Sequence, residues 1–171
     1  MQYYIYDTKT ELGVITLYSE GEYITGLYFG VRGEEGEGKP DDTIRRAAGE
    51  LDEYLHGKRR EFTVKVKAYG TEFQKTVWDA LTNIRYGETK SYGQIAREIG
   101  KPSASRAVGG ANHNNPVSVF VPCHRVVGAD GSLTGYGGGI EKKKFLLSLE
   151  KTYLQMGTKC KIPRIINGAK K

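Results

Sequence analysis

The amino-acid sequence predicts an α+β protein in which a small antiparallel sheet precedes a mainly helical region. Short segments rich in Tyr, Ile, Val and Leu fill the start of the chain and are separated by Gly and polar residues, which is typical of strands joined by turns. Beyond them, apolar residues recur at helical spacing. With 171 residues, 38% of them hydrophobic, the chain can bury a core as one large domain or two small ones.

Residues 1–70 are predicted to form the first domain. Residues 30–40 are rich in Gly and Glu and indicate a loop. A helix is expected to begin after Asp41, where apolar residues recur at helical spacing, and to stop at Gly57. The predicted strands are Tyr3–Tyr6, Gly13–Tyr18, Tyr23–Phe29 and Phe62–Val66.

Residues 71–171 are predicted to form the second domain, with a basic tail from about residue 157. Two helix starts can be recognised in it. Thr71 with Gln74, and Ser91 with Gln94, match the capping box in which a hydroxyl and an amide side chain satisfy the first backbone N–H groups. We therefore expect two helices to begin at these positions.

A helix-turn-helix is predicted around Lys101-Pro102, which breaks the chain after a helix expected to end at Gly100. Ser103 can cap the next helix, in which Arg106 is the one long side chain and the small residues are Ala104, Ser105, Ala107, Gly109 and Gly110. A helix of this kind can approach a narrow DNA groove closely while reading few base edges. Small residues also occur where helices pack tightly, so that alternative stays open.

The two regions carry opposite charge. Residues 1–70 have 10 Lys and Arg against 13 Asp and Glu, whereas the remainder has 16 against 7. A basic second region indicates a polyanionic partner, of which nucleic acid is the obvious one. The alternative is a solvated basic face together with the basic tail.

The tetrapeptide Pro122-Cys123-His124-Arg125 is the strongest chemical motif. Neighbouring His and Arg groups can favour the thiolate, which is the nucleophilic form of cysteine. The apolar run Val117–Val121 before it predicts a buried strand that delivers Cys123 to its end. The alternative is that Cys123 is a small buried apolar residue and His124 a satisfied core imidazole.

A cytoplasmic location is expected. The N-terminus lacks the features of a secretory leader, and no apolar run approaches the ~20 residues of a membrane span. The two cysteines, Cys123 and Cys160, are therefore expected to be reduced. No phosphate loop, dinucleotide fingerprint or metal-ligand spacing is present in the sequence, so we expect no cofactor.

Several motifs in order resemble the O6-alkylguanine-DNA alkyltransferases over about residues 71–150. They are Tyr92-Gly-Gln-Ile-Ala, Arg106-Ala-Val-Gly-Gly-Ala, Asn115-Pro-Val, Pro122-Cys-His-Arg-Val-Val, Gly135-Tyr-Gly-Gly-Gly and Leu146-Leu-x-x-Glu150. The resemblance implies a ribonuclease-H-like first domain and a winged helix-turn-helix alkyltransferase domain. It further implies a monomer that flips O6-alkylguanine, and also O4-alkylthymine, out of double-stranded DNA and transfers the alkyl group irreversibly, once, to Cys123.

The resemblance also implies the role of each catalytic residue. His124 corresponds to a base that reaches the thiol through a water, since adjacent residues on an extended segment point opposite ways, and Glu150 to the carboxylate that orients it. Tyr92 corresponds to a hydroxyl donor toward the leaving base. Asn115 corresponds to an asparagine that braces the turn between the DNA-binding helix and the active-site strand; the alternative is that Asn-Pro is simply a good turn.

Further positions follow from the same resemblance. Arg106 corresponds to an arginine that enters the duplex in place of the flipped nucleotide, and the other expected DNA contacts are Tyr92, Gly93, Lys101, Ser103, Ala104, Ala107 and Gly109. The expected alkyl pocket comprises Val126, Tyr136, Gly137 and Gly138, and Gly137 stands where several relatives have a side chain. We expect Arg125 to form a structural ion pair and Lys142–Lys144 a solvated helix face.

Some relatives hold zinc in the first domain, but here that domain has no cysteine and a single histidine, His56, so no metal is expected.

Two other functions are compatible with parts of the sequence. Cys, His and an acid also build cysteine hydrolases, but the local signature of papain-like enzymes is absent from the sequence and the basic region would have no role. A non-enzymatic protein that binds alkyl lesions would share the architecture, but relatives of that kind lack the cysteine.

Overall fold

The computed structural model describes residues 1–33 and 38–160. The predicted basic tail falls mostly on residues 161–171, which lie outside the described residues. The preceding residues belong to a long helix that continues to Cys160.

The first domain is built on a four-stranded sheet in the order β1-β2-β3-β4. Its strands are β1 Gln2–Asp7, β2 Val14–Glu20, β3 Tyr23–Phe29 and β4 Lys65–Val66. The first three pair antiparallel, which confirms the prediction. The fourth is shorter than predicted and pairs parallel to β3. Phe62 instead packs its ring against Tyr54 and Phe120, with centroids 5.2 and 4.7 Å away, because an interior aromatic cluster removes more apolar surface from water than an edge position would.

The first helix, α1 Asp42–Leu55, covers this sheet. Asp41 begins it as predicted, since its carboxylate accepts the N–H of Ile44 at 2.8 Å. The chain leaves the helix at Gly57, whose φ of +76° suits glycine. The buried face includes Ile44, Ala47, Leu51, Tyr54 and Leu55, so the helix contributes one side of the core.

The second domain is mainly helical, and both predicted capping boxes are present. Its helices are α2 Glu72–Leu81, α3 Tyr92–Glu98, α4 Ser105–His113 and α5 Ile140–Cys160. Helices α3 and α4 pack together as the helix-turn-helix, and α2 packs against both. Trp78 of α2 donates its indole N–H to the carbonyl of Ala111 at 2.8 Å. Two short strands, β5 Lys90–Ser91 and β6 Val126–Val127, pair parallel beside them.

Ser103 does not cap α4, so that prediction was wrong. The backbone N–H of Ala104 donates to the carbonyl of Lys101 at 2.9 Å, which closes a turn that contains Ser103. Ala104 therefore occupies the capping position, without a side-chain hydrogen bond, and Ser103 is exposed.

The apolar run Val117–Val121 is buried but is not a strand, which corrects a second prediction. Val119 has a left-handed φ of +73°, and the N–H of Val121 donates back to the carbonyl of Val117 at 3.0 Å. A buried backbone must find hydrogen-bond partners, and here a tight turn supplies them where a strand neighbour would otherwise be needed.

The two domains meet beside this turn. The N–H of Leu27 in β3 donates to the carbonyl of Pro116 at 2.9 Å, and Leu27 forms an isolated bridge with Val117. The ring of Phe29 contacts that of Tyr136, with centroids 5.9 Å apart. Within the described part of the chain, no helix is long and apolar enough to cross a membrane.

Candidate functional site

Cys123 lies at the start of a 3₁₀ turn, Cys123–Arg125, and is only 2% exposed. Its thiol is free. Its carbonyl accepts the side-chain amide of Asn112, at 3.2 Å. The nucleophile candidate is therefore held by a rigid turn between α4 and β6, where the sequence had indicated the end of a strand.

Asn115 clamps the segment that leads to the thiol. Its amide nitrogen donates to the carbonyl of Val121 at 2.9 Å, and its amide oxygen accepts the N–H of Val117 at 2.9 Å. Each bond satisfies a buried backbone group, and such groups are costly to leave unpaired. Asn115 is therefore bonded to both ends of the turn Val117–Val121.

His124 is fully buried and paired with Glu150, with 2.7 Å between Nε2 and Oε2. Arg125 also binds Glu150, with Nε 2.9 Å from Oε1 and Nη2 2.9 Å from Oε2. Burial acts to raise the pKa of Glu150, but His124 and Arg125 outweigh it and hold that pKa well below its usual range. An ionised carboxylate only accepts hydrogen bonds, so we assign the imidazole proton to Nε2.

The other imidazole nitrogen, Nδ1 of His124, is left as an acceptor. It is buried and has no hydrogen-bond partner in the structure. Burial lowers the pKa of His124, which keeps the ring neutral. A neutral, oriented imidazole with one free nitrogen is suited to act as a general base.

The thiol is not activated by its neighbours in the way that the tetrapeptide suggested. Burial raises the pKa of Cys123, and hydrogen bonding to Asn115 and Ser118 lowers it only in part. Arg125, which follows in sequence, is committed to Glu150 and to the carbonyl of Ile84, 2.6 Å from Nη1. The ion pair expected for Arg125 is therefore present, and deprotonation of the thiol needs a base.

Lys143 of α5 is fully buried, so the expectation that Lys142–Lys144 form a solvated face was wrong at its central residue. Its ammonium donates to the carbonyl of Thr134 at 2.9 Å, and the hydroxyl of Tyr92 donates to the same carbonyl at 2.9 Å. Its positive charge acts to lower the pKa of Cys123. Lys143, Tyr92 and the loop carbonyl therefore form one polar group near the thiol.

The residues predicted to form the alkyl pocket belong to β6 and to the loop before α5. Val126 and Tyr136 are buried. A side chain at Gly138 would place a Cβ 2.5 Å from the ring of Phe29, and one at Gly137 would lie 3.2 Å from the carbonyl of His113. A cavity of about 310 Å³ is lined among others by Phe29, Arg32, Asn115, Ser118 and Gly137, but not by Cys123, Val126 or Tyr136. Phe29 and Arg32 of the first domain therefore line part of this cavity.

The predicted DNA-binding residues lie at the start of α3, in the turn between α3 and α4, and on α4. Lys101, Ser103, Arg106 and Ala107 are exposed, whereas Gly93, Ala104 and Gly109 are partly buried. A Cβ at Gly109 would lie 3.8 Å from the ring of Tyr92. Both explanations of the small residues therefore have a place: Gly109 packs against Tyr92, and Ala107 faces solvent.

His124 is hydrogen-bonded to Glu150, and Asn115 is hydrogen-bonded to the thiol of Cys123. Tyr92 bonds the loop carbonyl of Thr134, and Arg106 is exposed on α4. Sequence reasoning missed three residues at this site: Tyr54, Asn112 and Lys143. Tyr54 occupied an apolar helical pattern and Lys143 a run of lysines, so their local patterns gave no indication of a role in the site.

Comparison with known proteins agrees with both halves of this architecture. Residues 1–68 match the ribonuclease-like domain of 6-O-methylguanine DNA methyltransferase, and residues 72–152 match its DNA binding domain. A methylated-DNA--protein-cysteine methyltransferase of Methanosarcina acetivorans is 46% identical over 156 residues, which cover 88% of this chain and 98% of the relative.

Solved structures give the same result. Mycobacterium tuberculosis OGT in complex with DNA superimposes with a TM-score of 0.81 at 45% identity, covering 90% of this chain and 94% of that one. An O6-methylguanine DNA methyltransferase from Methanococcus jannaschii superimposes with a TM-score of 0.60 at 32% identity, covering 81% and 88%.

Proposed function

This chain belongs to the 6-O-methylguanine DNA methyltransferase family, and on that premise we propose that it repairs DNA by transferring an alkyl group from guanine O6 to Cys123. The Sγ thiolate attacks the alkyl carbon and forms a C–S bond. The C–O6 bond breaks, and its electron pair stays on the guanine. Water does not cleave the resulting thioether, so each molecule acts once.

The observation that carries this proposal is a buried thiol next in the chain to an imidazole that Glu150 orients. Glu150 fixes the proton on Nε2 of His124, and Nδ1 is free to accept the thiol proton through a water. Since burial raises the pKa of Cys123, this base makes the thiolate when the substrate is in place. Stabilisation of the departing guanine is assigned to Tyr92. Its hydroxyl, which donates to the carbonyl of Thr134 in this structure, donates to the guanine instead when DNA is bound.

Substrate presentation is assigned to α3 and α4. The exposed small residues of α4 let the helix approach the minor groove, and Arg106 takes the place of the flipped nucleotide. Flipping costs a few kcal/mol, which phosphate contacts and the inserted arginine offset. The partner is double-stranded DNA that carries O6-alkylguanine, with O4-alkylthymine as a second lesion, and the protein acts as a monomer in the cytoplasm.

Two alternatives are less well supported. A non-enzymatic lesion-binding protein has no use for a thiol beside a base, and here Cys123 has both a base and an orienting carboxylate. A cysteine hydrolase gives no role to the exposed face of α4 or to the basic second region.

Intact mass measurement tests the proposal directly. After incubation with a duplex that contains one O6-methylguanine, we expect the protein to gain a single methyl group on Cys123. Cys123→Ala should gain none and should bind the same duplex with nearly unchanged affinity. Wild-type protein that gains no mass would overturn the proposal, and loss of binding in Cys123→Ala would contradict the division between acceptor and DNA-binding residues.

A further inference from the structure

Glu150 receives one of its hydrogen bonds from the first domain. The hydroxyl of Tyr54, in α1, donates to Oε2 of Glu150 at 2.6 Å. The same oxygen accepts Nε2–H of His124 at 2.7 Å, and the hydroxyl lies 3.5 Å from that nitrogen. Tyr54 is fully buried. A residue of the first domain therefore contacts the carboxylate that orients the base.

We propose that Tyr54 is a positioning residue of the first domain, which fixes the carboxylate of Glu150 so that it orients His124 for alkyl transfer. This inference rests on the proposed function, because it assigns a role in that reaction to the first domain. Tyr54 does not touch the substrate; it acts through Glu150.

Packing alone does not explain a tyrosine at this position. Its ring lies against Phe62 and Tyr86, with centroids 5.2 and 6.0 Å away, and a phenylalanine would make the same ring contacts. A buried hydroxyl is costly unless it is hydrogen-bonded, and Tyr54 uses its hydroxyl on Glu150. The neighbouring Tyr86 provides a contrast, because its buried hydroxyl has no hydrogen-bond partner in the structure.

The hydroxyl also completes the set of donors around the carboxylate. Oε1 of Glu150 accepts the N–H of Gly87 at 3.0 Å and Nε of Arg125 at 2.9 Å. Oε2 accepts Tyr54, His124 and Nη2 of Arg125. Because both carboxylate oxygens accept several hydrogen bonds, the carboxylate has little freedom to rotate, and the imidazole that it orients is fixed in turn.

Removing the hydroxyl should change how His124 titrates. The charged or titratable groups around the ring are Glu150 and Lys143 from α5, Tyr54 from α1, and the adjacent Arg125. Without the hydroxyl, Oε2 keeps more negative charge for His124, which favours the imidazolium. The pKa of His124 should therefore rise, and the free base should be lost at a higher pH than in the wild type.

The experiment compares Tyr54→Phe with Tyr86→Phe, a matched control that also loses one buried hydroxyl. Methyl transfer from an O6-methylguanine duplex is followed in single turnover with protein in excess, from about pH 5.5 to about pH 8.5. DNA affinity and the thermal midpoint are measured in parallel. General base catalysis contributes on the order of 10²- to 10⁴-fold, so we expect a roughly tenfold slower transfer in Tyr54→Phe.

The acid limb of the Tyr54→Phe rate profile should also move to higher pH, with DNA affinity unchanged, while Tyr86→Phe should follow the wild type. The inference is overturned if Tyr54→Phe matches the wild type in rate and profile. It is equally overturned if the rate falls only with the folded fraction while the acid limb stays in place, since that is the result of lost packing. A wild-type protein that transfers no methyl group would instead remove the proposed function, and this role with it.

Discussion

Burial affects the pKa values of the side chains at the site more than their neighbours in sequence do. The tetrapeptide places Cys123 between a proline and two basic residues, yet burial raises the pKa of the thiol, and both His124 and Arg125 face Glu150. The positive charge that helps the thiolate belongs to Lys143, twenty residues further on in the sequence. The site therefore combines a thiol whose pKa is raised by burial, a neutral imidazole and a buried ammonium.

Lys143→Met tests that ammonium, because methionine keeps an unbranched side chain while removing the charge. We expect transfer to slow by roughly ten- to a hundredfold, since the thiolate loses a cation that favours it and Thr134 loses a hydrogen bond. Single-turnover rates measure the effect. Lys144→Met, at an exposed position on the same helix, should react at the wild-type rate.

DNA affinity should be unchanged in Lys143→Met, because the ammonium is buried. Equal transfer rates in Lys143→Met and the wild type would show that this charge plays no part in the reaction.

Different secondary-structure elements hold the thiol and carry the predicted DNA contacts. The 3₁₀ turn Cys123–Arg125 and the clamp of Asn115 hold the thiol, and their polar groups are directed inward. Helix α4 buries Val108 and Ala111 while Arg106 faces solvent. One helix therefore packs on the core with one face and presents the predicted DNA-binding residues on the other.

Arg106→Ala tests the exposed face of α4. We expect DNA affinity to fall roughly tenfold and its salt dependence to weaken by about one phosphate contact. Transfer at saturating DNA should slow as well, because nothing then fills the space of the flipped base. Binding titrations at several salt concentrations and single-turnover rates measure the two effects.

Arg45→Ala provides the control for Arg106→Ala, because Arg45 is an exposed arginine of α1 in the first domain. It should leave both quantities unchanged. If Arg106→Ala repairs saturating duplex as fast as the wild type, the role of Arg106 in replacing the flipped base is lost.

Buried polar groups, as well as the apolar core, connect the two domains of the molecule. Tyr54 of the first domain, Gly87 of the second and the 3₁₀ turn all bond to Glu150 of α5. A buried carboxylate with this many donors is stabilising only while it is ionised and while every partner is in place. Stability should therefore depend on pH.

The free energy of unfolding should decrease on acidification in two stages. Burial lowers the pKa of His124 below its ordinary 6.5, so below that pH the unfolded chain binds a proton that the folded chain does not, and stability is lost. Below 4.5, the ordinary value for Glu150, a second loss begins, because the pKa of that carboxyl is held well lower in the folded state. Urea unfolding between about pH 8 and pH 4 measures both stages.

His124→Gln removes the first titrating group and should flatten the upper stage of this pH dependence. An unfolding free energy that stays constant from about pH 7.5 to pH 5 in the wild type would contradict the assignment of a neutral buried His124.

Local patterns were sufficient to predict much of this protein. Short runs of Tyr, Ile, Val and Leu between turn residues predicted β1 to β3, and the capping boxes at Thr71 and Ser91 predicted the starts of α2 and α3, because both patterns depend on residues close in sequence. The order of short motifs indicated the family and the thiol. The apolar run Val117–Val121 was assigned wrongly because apolar content reports burial but not the path of the chain.

Contacts between distant residues could not be predicted from local patterns. Tyr54 and Glu150 are 96 positions apart, and Tyr54 fits an apolar helical stripe whether or not its hydroxyl has a partner. Lys143 looked solvated because a run of lysines usually is. The chain thus encodes its helices, strands and nucleophile in neighbouring residues, whereas the protonation of the thiol, the orientation of the base and the part played by the first domain arise from packing, which sets burial and brings distant donors to one carboxylate.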